Sequence, residues 1–166
     1  MPAILAPDRR PRAAALLVAA AGFATIVTAL FFQFGLGYIP CALCIQQRWP
    51  YYLGVPLALA LALPMPEGVR RMGLVVLAIV FLAGAGLGIY HSGVEWGWWL
   101  GPSDCGGAAA PTPSGVGDLL KQIEQTRVVS CTEAAWRFLG LSMAGWNALI
   151  SAGLAAVALA GVGSRR

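Results

Sequence analysis

Four cysteines are the residues of this chain whose type and spacing could do chemistry. Cys41-Ala42-Leu43-Cys44 is a C-x-x-C, and Cys105 and Cys131 stand 26 positions apart further along. A C-x-x-C serves thiol–disulfide exchange, metal binding or haem attachment; the residue after Cys44 is Ile45 rather than histidine, which removes c-type haem attachment. Pro40 precedes the pair and an apolar run follows it directly, so the pair is expected at a helix N-terminus. Unsatisfied N–H groups and the helix dipole there stabilise a thiolate and lower its pKa. Such a thiolate is a better leaving group and a more available nucleophile at neutral pH. A Cys₄ zinc site is disfavoured because Cys105 and Cys131 do not form a second C-x-x-C. Four cysteines allow three disulfide pairings, and the residues alone leave all three open.

Three further residues surround this chemistry. Arg48 lies one helical turn after Cys44, on roughly the same face. At a membrane edge its charge needs a partner, which a thiolate, a lipid phosphate or the carbonyl oxygen of a bound quinone would each provide; snorkelling to the interface is the plainer reading. His91 is the single histidine and ends the third apolar run. Its neutral form suits a hydrogen bond to a quinone oxygen or a proton relay, or it is an interfacial residue without a role. Met143 opens the fourth run and either lines the same pocket or only packs.

The elements that must position these residues follow from composition. The chain has 166 residues, of which 58% are hydrophobic and 11% charged, with a mean hydropathy of +0.73. Soluble domains run nearer roughly 45–50% apolar and 25% charged, so disorder, a coiled coil and an ordinary soluble enzyme are excluded and a bilayer is the natural solvent. The net charge of +4 is scattered at the edges of apolar runs, without the basic stripe that nucleic acid needs. Four apolar runs, 13–34, 45–63, 72–90 and 143–162, are each long enough for a transmembrane helix. The first is too long for a signal-peptide core and reads as an uncleaved helix. The expected fold is an all-α membrane protein, a single four-helix transmembrane bundle. Gly84, Gly86 and Gly88 in the third run, and Gly145, Gly153 and Gly161 in the fourth, suggest close helix–helix faces.

Arginine and lysine counts orient the bundle. The side holding both termini and the 64–71 loop carries seven basic residues; the side holding the 35–48 and 91–142 segments carries four over a longer stretch. Both termini are therefore expected in the cytoplasm. Loops 35–44 and 91–142, with all four cysteines, are expected on the outer, oxidising side. Glycines and prolines around Cys105 predict an irregular loop. A disulfide closing it would be either exchange-labile or a static staple. Val116, Leu119, Leu120 and Ile123 recur at helical spacing, predicting a short amphipathic helix within it that lies on the membrane surface or packs on the loop.

Together these residues resemble the DsbB family of quinone-dependent thiol oxidases of the bacterial inner membrane. The resemblance covers nearly the whole chain. It rests on Pro40-Cys41-x-x-Cys44 followed by Arg48, His91 closing the third run, one cysteine in the second outer loop, and another shortly before Trp136-x-Phe138-Leu139-Gly140-Leu141-x-Met143-x-x-Trp146. The vitamin K epoxide reductase-like family shares the chemistry but usually places its C-x-x-C late in the bundle. The resemblance implies a relay. A reduced DsbA-like periplasmic oxidase attacks a Cys105–Cys131 disulfide at Cys105, and electrons pass to Cys41–Cys44. Cys41 exchanges with the loop, while Cys44 faces a membrane quinone, ubiquinone or menaquinone, and forms the charge-transfer or adduct state with it. Arg48 and His91 would hold the quinone with Met143 near, and no metal is implied. Two positions depart from the familiar pattern: Gln47 stands where an acidic residue often precedes the arginine, and Ala144 where proline often follows the methionine. A paralogue dedicated to a specialised partner, or a membrane protein with static disulfides, are the alternative readings.

Overall fold

The computed structural model describes residues 9–101, 115 and 131–163 and is helical almost throughout. Cys105 and the amphipathic stretch from Val116 to Ile123 lie outside the described residues. Helix α1 (Arg9–Leu30) widens into a π-helical turn, Phe31–Gly35. A short helix α2 (Ala42–Gln46) is followed by α3 (Trp49–Ala62) and by α4 (Glu67–Glu95). A two-stranded hairpin, β1 (Arg137–Phe138) and β2 (Leu141–Ser142), leads into α5 (Met143–Val162). Packing runs around a ring, α1 against α3, α3 against α4, α4 against α5 and α5 against α1.

Three helices are long and apolar enough to cross a membrane, Arg9–Gly35, Glu67–Glu95 and Met143–Val162. This is an all-α, multi-pass membrane protein. The 45–63 run, expected as one span, is divided. Pro50 has no N–H to bond the carbonyl of Gln46, and its ring crowds that carbonyl, so α2 ends there. The chain turns through Gln47 and Arg48, and Pro50 then occupies the first turn of α3. With 14 residues, α3 is about 21 Å long, short of a hydrocarbon core of about 30 Å. Helix α4 is longer than expected at both ends. It starts at Glu67, whose carboxylate meets Arg70 at 3.7 Å and Arg71 at 3.1 Å, and it runs one turn past His91. Arg70 is buried because it donates to the carbonyls of Leu61 (2.9 Å) and Leu63 (3.0 Å), closing the end of α3.

Val18, Leu74, Leu77 and Phe81 form the fully buried centre, with Tyr51 edge-on to Phe81 at 5.5 Å. Large apolar side chains such as Leu17, Phe23, Leu53, Ile79 and Leu149 point outward, as lipid allows and water would not. The closest helix approach is α4 on α5: a Cβ at Gly88 would lie 2.8 Å from the backbone nitrogen of Ala148. The expected glycine face of α5 is only partly used. Gly161 sits tightly against Ala14, whereas Gly153 faces open space. The hairpin turns through Leu139 (φ 53°) and Gly140 (φ 81°), the two positive angles that a two-residue turn of its hand requires. It ends at Ser142, whose Oγ accepts the Gly145 N–H and caps α5.

Candidate functional site

Pro40 and α2 place the C-x-x-C. Cys41 is the N-cap of α2, and its Sγ accepts the Cys44 N–H at 3.3 Å. Because α2 is only five residues long, the helix dipole expected to activate the pair is small. The two thiols tune each other instead. Their sulfurs are 2.9 Å apart, inside ordinary van der Waals contact but longer than the roughly 2.05 Å of a bond. The hydrogen bond to Cys44, followed by burial, pushes the Cys41 thiol up to about 12, against the pull of His91. The same bond from Cys41 lowers Cys44, against its burial. The shared proton therefore belongs to Cys41 and the negative charge to Cys44. Two sulfurs sharing a tetrahedral metal at about 2.3 Å would stand about 3.8 Å apart, so this spacing suits bond exchange between them.

That asymmetry has a direct test. In the reduced protein Cys44 should alkylate at least about tenfold faster than Cys41 at neutral pH, since each unit of pKa is a factor of ten in thiolate. Cys41 should gain reactivity only as pH rises beyond the ordinary thiol value. Brief iodoacetamide labelling followed by peptide mass spectrometry measures both; equal labelling would overturn the assignment.

The pair opens onto a cavity of about 400 Å³, within the roughly 300–1,000 Å³ of small-molecule sites. Cys41, Cys44, Arg48, His91 and Met143 all line it, while Cys131 is not part of its wall. Cys131 lies in the same buried cluster as Cys41, Cys44, Leu43 and Val94. Two aromatic rings form part of the wall, Phe32 and Trp136, edge to face at 5.3 Å. Arg48 finds a partner that the sequence did not suggest: its Nη1 donates to Oε1 of Gln33 at 2.6 Å. Gln33 reaches it from the π-helical turn, a distortion frequent at functional sites.

His91 is 3% exposed and turned toward the cysteines. Its Nε2 lies 3.6 Å from Cys41 Sγ and 3.8 Å from Glu95 Oε1. Its Nδ1 lies 2.6 Å from Gln47 Nε2. From Gln47 a chain of side chains continues into the bundle. Asn147 Nδ2 donates to Gln47 Oε1 at 2.6 Å, Tyr51 Oη donates to Asn147 Oδ1 at 2.7 Å, and Ser151 Oγ stands 3.0 Å from Tyr51 Oη. The sequence reading missed Gln33, Glu95, Asn147, Tyr51 and Ser151. The available signal was polar residues inside apolar runs, paired one turn apart: Gln47 with Tyr51, His91 with Glu95, Asn147 with Ser151.

The sequence that builds this site has relatives among known proteins. The sequence profile of the family described as Disulfide bond formation protein DsbB matches residues 11–161. This chain belongs to the DsbB family. Several relatives carry the name Disulfide bond formation protein B. One from Xanthomonas oryzae pv. oryzae is 34% identical over 146 residues, covering 83% of each chain. One from Xanthomonas campestris pv. campestris is 36% identical over 139 residues, covering 79% of this chain and 78% of its own. One from Methylococcus capsulatus is 34% identical over 143 residues, covering 82% and 84%. DsbB membership makes the chain a disulfide oxidoreductase of the disulfide-forming kind. Among the described residues, the Cys41–Cys44 pair and Cys131 are the groups able to carry that chemistry.

Proposed function

We propose that this protein is a thiol:quinone oxidoreductase of the bacterial inner membrane that reoxidises a DsbA-like periplasmic dithiol oxidase. The observation that carries this reading is the Cys41–Cys44 pair, sulfurs 2.9 Å apart, opening onto an apolar, aromatic-walled cavity beside Arg48 in a DsbB-family chain. In this reading a thiolate of the partner attacks Cys105 and breaks a Cys105–Cys131 disulfide. A second partner thiolate closes the partner's own disulfide, and Cys105 and Cys131 are left reduced. Two electrons then move inward as the loop pair is reoxidised by a Cys41–Cys44 disulfide. Proximity supports that hop: Cys131 already packs in one cluster with Cys41. A quinone, ubiquinone or menaquinone, supplies the two-electron acceptor when bound. The residues present fit such a ring. Phe32 and Trp136 offer apolar faces, Arg48 offers a cation for a ring oxygen, and Met143 fills the rim. Both sulfurs reach the cavity wall, and Cys44, the thiol with the lowered pKa, carries the charge there. The arginine excess near the termini and the 64–71 loop supports cysteines facing the periplasm and termini in the cytoplasm.

The test uses purified protein in detergent with a reduced DsbA-like oxidase and a soluble ubiquinone analogue, following quinone absorbance. Steady turnover that disappears in Cys105→Ser is expected. Folded protein without turnover on ubiquinone or menaquinone analogues would overturn the proposal.

A further inference from the structure

We propose that Gln47 is a positioning residue that fixes the tautomer of His91, so that His91 donates Nε2–H to the sulfur of Cys41. Asn147, Tyr51 and Ser151 hold Gln47 in the orientation this requires. Hydrogen-bond polarity along this chain sets the tautomer. With the Asn147 amide oriented as it is, Oδ1 toward Tyr51, the Tyr51 hydroxyl proton goes to that oxygen and Ser151 is left to donate to Tyr51. With Oδ1 accepting, Asn147 presents its NH₂ to Gln47 Oε1. Gln47 therefore presents its own NH₂ to His91 Nδ1 at 2.6 Å. An imidazole nitrogen facing a donor must be bare, so the neutral ring carries its proton on Nε2, 3.6 Å from Cys41 Sγ. Each link runs the same way, from Ser151 to Cys41, and every group in it is buried or partly buried.

The arrangement follows the logic of a nucleophile, an imidazole and a third side chain that orients the imidazole. Each exchange at this pair forms one S–S bond and breaks another, and the electron pair of the broken bond leaves on a sulfur. When that sulfur is Cys41, the His91 N–H receives it. Cys41 needs this help, because Cys44 and burial both hold its proton in place. The other titratable or charged groups at the site are Cys44 on α2, Glu95 at 3.8 Å from the same Nε2, Arg48 turned to Gln33, and Cys131 and Glu133 from the segment before the hairpin. Of these, Glu95 is the second acceptor open to Nε2–H. Amides neither take up nor release protons near neutral pH, so the chain sets an orientation and conducts no proton. Where an acidic residue occupied position 47, Nδ1 would instead face an acceptor.

The tautomer does not depend on the quinone reading, although its consequence for turnover rests on it, so the two can fail separately. His91 is the only histidine, and full-length protein labelled with ¹⁵N-histidine therefore gives the spectrum of one ring. At about pH 8, above the ordinary histidine range, long-range ¹H–¹⁵N correlation should show the proton on Nε2. A proton on Nδ1 in the wild type overturns the proposal, whether or not any variant folds. Asn147→Asp keeps the shape and still accepts from Tyr51, but offers no N–H to Gln47. The Gln47 amide should turn over and the proton should move to Nδ1. In a chain retaining only Cys41 (Cys44→Ser, Cys105→Ser, Cys131→Ser), alkylation of Cys41 should then slow by about tenfold and its pH midpoint should rise. The same substitution in a His91→Phe background should have no such effect. An equal slowing there would assign the change to the new charge alone and overturn the proposal, as would an unchanged alkylation profile once the tautomer has switched.

Discussion

Replacing Cys44 by serine is expected to lower quinone-coupled oxidation of the partner dithiol by at least about 1,000-fold, the scale on which removal of an essential nucleophile acts. Serine matches cysteine in shape but forms no S–S bond, so Cys41 loses the partner 2.9 Å away. The variant also lacks the sulfur whose thiolate persists to lower pH than an ordinary thiol. In wild type the step that needs the Cys44 thiolate weakens as pH falls through that lowered value, whereas use of the Cys41 thiolate improves as pH rises toward about 12. Folding should be nearly indifferent, because Cys44 is only partly buried and a hydroxyl can keep its contacts. Quinone absorbance under multiple turnover measures the loss. A variant keeping more than a tenth of wild-type turnover would remove Cys44 from the relay.

Gly88→Val is expected to destabilise the bundle by about 2–3 kcal/mol or more, at the upper end of overpacking. The new Cβ would meet the Ala148 backbone nitrogen at 2.8 Å and its Cα at 2.9 Å, and a main chain cannot swing aside as a side-chain tip can. Helices α4 and α5 must therefore part along their contact. Function should suffer together with stability. Gly88 lies one turn before His91, and Ala148 adjoins Asn147, so separating them pulls Asn147 from Gln47 and releases the ring that faces Cys41. Gly86→Ala is the matched control, since nothing lies within 4 Å of its Cβ and replacing a helical glycine with alanine favours the helix. Thermal unfolding in one detergent should separate the two clearly. If Gly88→Val melts together with Gly86→Ala, the interface is looser than its geometry.

Some of this protein is written in short stretches of chain. Long apolar runs with few charges require a lipid solvent and backbone hydrogen bonds closed within each run, which makes helices. The C-x-x-C, Arg48 and His91 stand out as candidates because each lies at the edge of such a run, where an ionisable or reactive group needs a reason, whereas Met143 is marked only by opening the last run. The division at Pro50 has an equally local cause, one missing N–H and the carbonyl four residues earlier, although the apolar run 45–63 reads as a single span. What the runs could not show is which group meets which across the bundle. Arg48 turns to Gln33 because α1 ends in a widened turn. His91 faces Cys41 because Gln47 occupies its other nitrogen, and Gln47 is held by residues of α5 a hundred positions away. Span length and motif spacing are set by the solvent and the covalent chain, so they can be read along the chain before any fold is known. The partners of each buried polar group depend on how the helices are rotated and shifted against one another. That register comes from the sum of many small packing contacts such as Gly88 on Ala148, which exist only once the helices have packed.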